Sequence, residues 1–180
     1  LKRLLKAIDE DTHLHAGTMM KLALYTGMRR GEMFKLEWKD INFDRGFIEL
    51  VDPKGGPSQK IPLNDATREL LNNHIRSVSP YDFPGRYGKQ RVTIAVPVQE
   101  IKKKAGLPND FRPLHGLRHV YASMLASSGK VDMYQLQRLL THKSPVMTQR
   151  YAHLRDDALK RASDVASDII GEFDKAASGK

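Results

Sequence analysis

The chain has 180 residues and carries 30 Lys and Arg against 21 Asp and Glu, a formal net charge of +9; a polyanion, nucleic acid first, is the partner this charge points to. It contains no cysteine, which excludes a disulfide framework and a thiolate metal site and suits a reducing cytoplasm. No apolar run approaches the roughly 20 residues of a bilayer-spanning helix, and the length suits one domain with a real core rather than two.

The segment LKRLLKAI reads as an amphipathic helix without the apolar stretch and small-residue cleavage site of a signal peptide. It starts inside a helical pattern without methionine, as expected of a domain taken from a longer protein. AGTMMKLALYTG follows as a second helix closed by Gly27, and MRRGEMFKLEW as a short third one. INFDRGFIELV places two apolar runs around Asp44-Arg45-Gly46, a hairpin signal; DPKGGPSQ is a second turn and KIPLN a third strand. NDATRELLNNHIRSV predicts a helix with Asn64 or Asp65 as N-cap. Residues 79–93, rich in Pro, Gly and charge, read as loop. AVPVQEIKKKAG predicts a helix ending at Gly106, and from residue 115 the chain reads as helices almost to its end. There is no internal repeat. The expected class is α+β, mostly helical, with one small antiparallel three-stranded sheet at an edge.

Chemistry gathers in LHGLRHVYASMLASSG, residues 114–129. His115, Arg118 and His119 stand at i, i+3 and i+4 and share a helix face, while Leu114, Leu117, Tyr121, Met124 and Leu125 mark a second, apolar face. Three readings compete: a solvated basic helix end, a metal site and a phosphate site. Zinc is disfavoured because the pair lacks the glutamate of H-E-x-x-H and has an arginine beside it. Further polar residues are scattered: Arg29 after the Gly27 stop, Lys54 in a glycine-bearing turn, His142 before Pro145, and Tyr151. Each alone has a bland reading as a surface or core residue.

Taken in order, TGMRRGE, PKGG, HGLRH, LLTHKS and TQRYAHL resemble the tyrosine recombinases, the phage integrase family. The likeness runs from about residue 1 to residue 155. It implies a catalytic domain over residues 1–180 without the N-terminal DNA-clamping domain of the family. It implies two arginines, Arg29 and Arg118, a strand-turn-strand lysine, Lys54, the histidines His115 and His142, the nucleophile Tyr151, and Glu32 as the acidic support of the first arginine. It carries no role for His119. Thr141 departs from the pattern, which has glycine there, and is expected to alter the local helix cap while leaving the His142 imidazole in place.

The implied reaction is site-specific recombination of double-stranded DNA. Tyr151 attacks a phosphodiester, giving a 3′-phosphotyrosyl link and a free 5′-hydroxyl, and a second 5′-hydroxyl reverses the step. Bond energy stays in the covalent link, so neither metal nor ATP nor any other cofactor is expected. Fixed guanidinium forks match the extra negative charge of the transition state on the nonbridging oxygens. Lys54 would protonate the leaving 5′-oxygen, with Lys60 the competing candidate. His115 would assist proton movement at the tyrosine, and His142 would donate to a phosphate oxygen.

After Tyr151, Leu159, Ala162, Val165, Ala166, Ile169 and Ile170 form a narrow apolar stripe. It either packs on its own core or, as the resemblance implies for residues 155–175, docks on a neighbouring protomer of a tetramer on DNA. The rival readings are a non-catalytic recombinase-like DNA-binding regulator, a type IB topoisomerase, and a metal-dependent nuclease or protease.

Overall fold

The computed structural model describes residues 1–50 and 58–178. They divide into two compact units: residues 1–121 with 139–141, and residues 122–138 with the chain from 142 onward.

The first unit is built around one helix. Along α2 (Ala16–Thr26), Ala16, Met19, Met20, Leu22, Ala23, Leu24 and Thr26 are all buried. A helix apolar on nearly every side must be enclosed, and α2 is, by α1 (Lys2–Asp9), α4 (Asp65–Asn72) and α5 (Ala95–Lys104). The helix α1 shows the ordinary amphipathic solution, turning Leu4, Ala7 and Ile8 inward. Gly27 ends α2 in the left-handed region, φ +67°, its N–H donating to Ala23. The anticipated third helix is two pieces, α3 (Arg30–Lys35) and a 3-10 turn at Trp38–Asp40.

The sheet is antiparallel in the order β1 (Ile41–Asn42), β2 (Phe47–Leu50), β3 (Gln59–Pro62). Its register pairs Ile41 with Ile48 and Ile48 with Ile61. All three are buried, so one face joins the core. The hairpin turns at Gly46, φ +71°, as the sequence predicts. Of the second turn, residues 51–57, Lys54 included, lie outside the described residues.

Asn64 is the N-cap of α4, accepting from Thr67 N at 2.9 Å. This helix stops at Asn72 instead of running on to residue 78. Two asparagines weaken it, and His74 turns inward to the His15 ring and Phe83, a burial that outweighs further helical turns. The 79–93 loop is anchored rather than loose, with Asp82 and Phe83 fully buried. The helix α5 precedes Gly106, φ +61°, and α6 (Pro113–Ser127) runs from the first unit into the second.

The second unit holds the end of α6, α7 (Met133–Leu139, to Arg138), α8 (Val146–Gln149) and α9 (Ala152–Ser178). Asp132 and Gln135 cap α7 reciprocally, Gln135 N donating to Asp132 Oδ1 at 2.7 Å and Asp132 N to Gln135 Oε1 at 2.9 Å. Arg155 Nη1 of α9 donates to Val131 O at 2.5 Å. Along the apolar stripe of α9, Leu159, Val165, Ile169 and Ile170 are each about half exposed, from 49% to 61%. Met124, assigned to the apolar face of α6, is also exposed. No helix among the described residues is long and apolar enough to cross a membrane.

Candidate active site

Arg29 stands where α2 has ended and α3 begins. Its backbone is extended, φ −75° and ψ 149°, and its N–H donates to Glu32 Oε2 at 2.7 Å. Glu32 thereby caps α3 and, through Oε1, also accepts from Arg29 Nη1 at 2.8 Å. The same Nη1 donates to Thr141 Oγ1 at 2.7 Å, and the Thr141 carbonyl accepts from Nη1 at 3.3 Å and Nη2 at 3.4 Å. One carboxylate and one threonine thus fix the guanidinium, whose side chain remains about one-third exposed.

Arg118 lies on the second turn of α6 and is buried, 6% exposed. Its Nη1 donates to the Gly27 carbonyl and its Nη2 to the Leu140 carbonyl. These acceptors take two of the five N–H donors a guanidinium carries. The carbonyls of Leu140 and Thr141 are successive in the chain, and each receives one of the two arginines. Gly27, two residues before Arg29, ties Arg118 to the same strand of chain.

Residues 139–141 follow α7 in a defined geometry. Thr141 has φ +49°, and His142 N donates to Gln137 O at 3.1 Å. This is a Schellman ending with Thr141 at the left-handed position that glycine normally fills. The departure from glycine noted in the sequence therefore costs backbone strain, about 1–3 kcal/mol for a residue held in such a region. It leaves the helix ending intact. Thr141 holds Arg29 through both its hydroxyl and its carbonyl, a role its place in the motif does not show. Its signal was available in principle, because a threonine just past a helix end, where glycine is expected, calls for a compensating contact.

The two histidines of HGLRH meet: His119 Nε2 lies 2.9 Å from His115 Nε2, with the rings edge to face. One of these nitrogens must be the N–H donor and the other a neutral acceptor, so this arrangement suits at most one imidazolium. His115 is exposed while Arg118 is buried, so the shared face of the helix is split between solvent and interior. Among the described residues, no three or more His, Asp or Glu side chains gather as a metal-ligand set. Tyr121, one turn on, packs against Gly27; burial pushes its phenol pKa up, with Arg118 opposing.

In the second unit, His142 Nδ1 pairs with Thr148 Oγ1 at 2.8 Å, and the His142 carbonyl accepts from Gln137 Nε2 at 3.2 Å. Thr148 O accepts from Tyr151 N at 3.0 Å. The short α8 therefore spaces His142 from Tyr151 through one threonine that touches both. Tyr151 sits on the turn before α9 and is buried, 6% exposed. The competing lysine, Lys60 on β3, pairs with Glu49 across the strands at 3.1 Å.

The first unit thus brings together Arg29, Glu32, Arg118 and Thr141, with the His115–His119 pair on α6; the second brings together His142 and Tyr151.

Residues 1–158 match the Phage integrase family. A tyrosine recombinase of Thermosipho africanus is 32% identical over 165 residues, covering 88% of this chain and 58% of the relative. The tyrosine recombinase XerA of Pyrococcus furiosus is 32% identical over 176 residues, covering 93% and 59%. The chain thus spans less than two thirds of the length of these curated relatives. Among solved structures, a XerA recombinase superposes with a TM-score of 0.72 at 26% identity, covering 92% of this chain and 60% of that one. The catalytic domain of bacteriophage HP1 integrase has the same fold, TM-score 0.67 at 23% identity, with 91% and 89% covered. On its sequence and its fold, the chain belongs to the phage integrase family of tyrosine recombinases.

Proposed function

We propose that this chain is the catalytic domain of a site-specific recombinase that cleaves and rejoins double-stranded DNA through Tyr151. The observation that carries this reading is the placement of two guanidinium groups on consecutive carbonyls, Leu140 for Arg118 and Thr141 for Arg29. The chain continues directly into His142.

In this reading Tyr151 Oη attacks the phosphorus, a 3′-phosphotyrosyl bond forms, and the bond to the 5′-oxygen breaks. Arg29 and Arg118 stabilise the nonbridging oxygens as negative charge accumulates on them. Because their surroundings already fix both side chains, little reorganisation is needed when the charge appears. His142, oriented by Thr148, donates to a phosphate oxygen. His115, coupled to His119, assists the proton leaving Tyr151, and Lys54 supplies the proton to the departing 5′-oxygen. Attack by another 5′-hydroxyl regenerates the tyrosine and completes exchange, with no metal or nucleotide consumed.

The net charge of +9 makes DNA binding strongly salt-dependent. The exposed stripe of α9 serves contacts between protomers on DNA, and the enzyme works in the cytoplasm.

The test is a nicked suicide duplex from which the released strand diffuses away, trapping the covalent adduct. Mass spectrometry is expected to place the nucleotide on Tyr151, and Tyr151→Phe is expected to bind DNA while forming no adduct. An adduct on Tyr25, Tyr121 or Tyr134, or an adduct that persists in Tyr151→Phe, overturns the assignment.

A further inference from the structure

We infer that Thr141 is a positioning residue for Arg29: its hydroxyl, rather than its backbone, sets the guanidinium in the orientation that meets the phosphate. This inference rests on the function proposed above.

Thr141 occupies the left-handed position of a helix ending, φ +49°, where a β-branched residue is least at ease and glycine is free of strain. Glycine would close the helix equally well and would offer Arg29 the same carbonyl. What threonine adds is Oγ1. That atom accepts from Arg29 Nη1 at 2.7 Å and lies 3.4 Å from Glu32 Oε1, to which it donates. The hydroxyl therefore sits between the cation and its carboxylate and is polarised by both. Branching at Cβ restricts χ1, which holds Oγ1 in this place.

The consequence for Arg29 follows from the geometry of its fork. Nη1 carries two hydrogens, and Glu32 Oε1 at 2.8 Å and Thr141 Oγ1 at 2.7 Å are its two short acceptors. The Thr141 carbonyl stands off the Nη1/Nη2 end at 3.3 and 3.4 Å. The edge turned toward a substrate is then the side bearing Nε and Nη2, whose two parallel N–H bonds match two phosphate oxygens. Without Oγ1 the guanidinium keeps Glu32 but can rotate about that single short contact. Charge would remain near the phosphate while the bidentate alignment is lost, so the effect belongs to the cleavage step rather than to binding.

The experiment compares wild type with Thr141→Gly, Thr141→Ser and Thr141→Ala by thermal melting, DNA affinity, and single-turnover cleavage of the suicide duplex at saturating DNA. Thr141→Gly is expected to melt no lower than wild type, bind DNA within about twofold, and cleave about ten- to a hundredfold more slowly, the loss expected for one hydrogen bond to a charged group. Thr141→Ala is expected to be as slow, and Thr141→Ser to return to within a few fold of wild type. In ¹⁵N NMR the Arg29 Nη resonances are expected to show hindered rotation in wild type and averaging in Thr141→Gly. Wild-type cleavage by Thr141→Gly, a Thr141→Ser as slow as Thr141→Gly, a rate loss matched by a lower melting temperature, or unchanged Nη rotation overturns the inference. A wild-type protein that forms no adduct refutes the proposed function instead, and the NMR comparison still decides the role of Thr141.

Discussion

Arg118 donates through Nη1 to the carbonyl oxygen of Gly27, 91 positions earlier in the chain. With its second bond to the Leu140 carbonyl, one buried guanidinium joins the end of α2 to the segment that follows α7. A lysine keeps the charge but replaces the planar fork with a point donor. Arg118→Lys is therefore expected to leave one of the two buried carbonyls unpaired, costing about 1–3 kcal/mol in urea unfolding. It is also expected to slow cleavage by more than about a hundredfold, as for the loss of a fixed transition-state donor. A variant as stable and as fast as wild type would show that the fork is dispensable.

Gly27 is constrained twice. Its φ is +67°, and a Cβ there would come within 2.6 Å of Tyr121 Cδ1 and 3.2 Å of Leu140 Cδ2. Left-handed strain alone costs about 1–2 kcal/mol, and displacing the Tyr121 ring adds to it. Gly27→Ala should lose about 2–4 kcal/mol in total. Because the ring is half of the conflict, the double variant Gly27→Ala/Tyr121→Ala should lose less than the sum of the two single changes. Additive losses in the denaturation series would place the whole cost in the backbone.

A buried polar cluster away from the candidate active site is expected to make stability depend on pH. Asp82 is fully buried, both carboxylate oxygens lack a hydrogen bond, and burial pushes its pKa up to about 7, with Arg76 opposing. His74 Nε2 donates to the Asp82 carbonyl oxygen at 3.2 Å and lies 3.2 Å from His15 Nδ1. Burial lowers both histidines, His15 to about 4 with Arg91, His74 and His13 adding to the shift. The signs oppose each other. The raised Asp82 pKa makes ionisation costly in the folded state, so its penalty is absent below about pH 4, grows with pH and levels off above about pH 7. The depressed His15 and His74 values remove stability as pH falls below their unfolded value of about 6.5. Asp82→Asn leaves only the histidine effect. It is expected to gain stability over wild type at pH 8, by up to the order of 4 kcal/mol, and little at pH 4. Its stability should then rise more steeply than wild type between pH 4 and 7. Parallel pH profiles from urea titrations would show that Asp82 does not carry the effect.

The proton for the 5′-oxygen distinguishes two lysines. A 5′-bridging phosphorothiolate leaves as a thiolate and needs no proton. Lys54→Ala is expected to be severely slowed on ordinary DNA and largely rescued on the sulfur substrate, while Arg29→Ala is rescued on neither. Lys60 pairs with Glu49 on the sheet, and Lys60→Ala should cost little on either substrate. Rescue of Lys60→Ala alone would move the role to β3, and rescue of neither would turn attention to His115.

Much of this protein was legible in its sequence because the relevant forces are local. The turn chemistry of Asp44-Arg45-Gly46, the stop at Gly27 and the apolar periodicity of α1 and α2 act over a few residues, and the structure agrees with each. The motifs from TGMRRGE to TQRYAHL were enough to name the family. Other features depended on partners distant in the chain. The helix from Asp65 ends at Asn72 because His74 is drawn to the side of His15, 59 residues away. The stripe on α9 has helical spacing whether or not anything covers it, and only the fold shows it exposed. The motif marks Arg118 as the second arginine, but only the fold shows it buried, with its fork on the carbonyls of Gly27 and Leu140. Thr141 reads as a flaw in a motif until Arg29 and Glu32 converge on its hydroxyl. Periodicity and turn preference depend on neighbours along the chain, whereas the satisfaction of a buried charge or a strained backbone depends on groups that only tertiary folding brings within hydrogen-bond range.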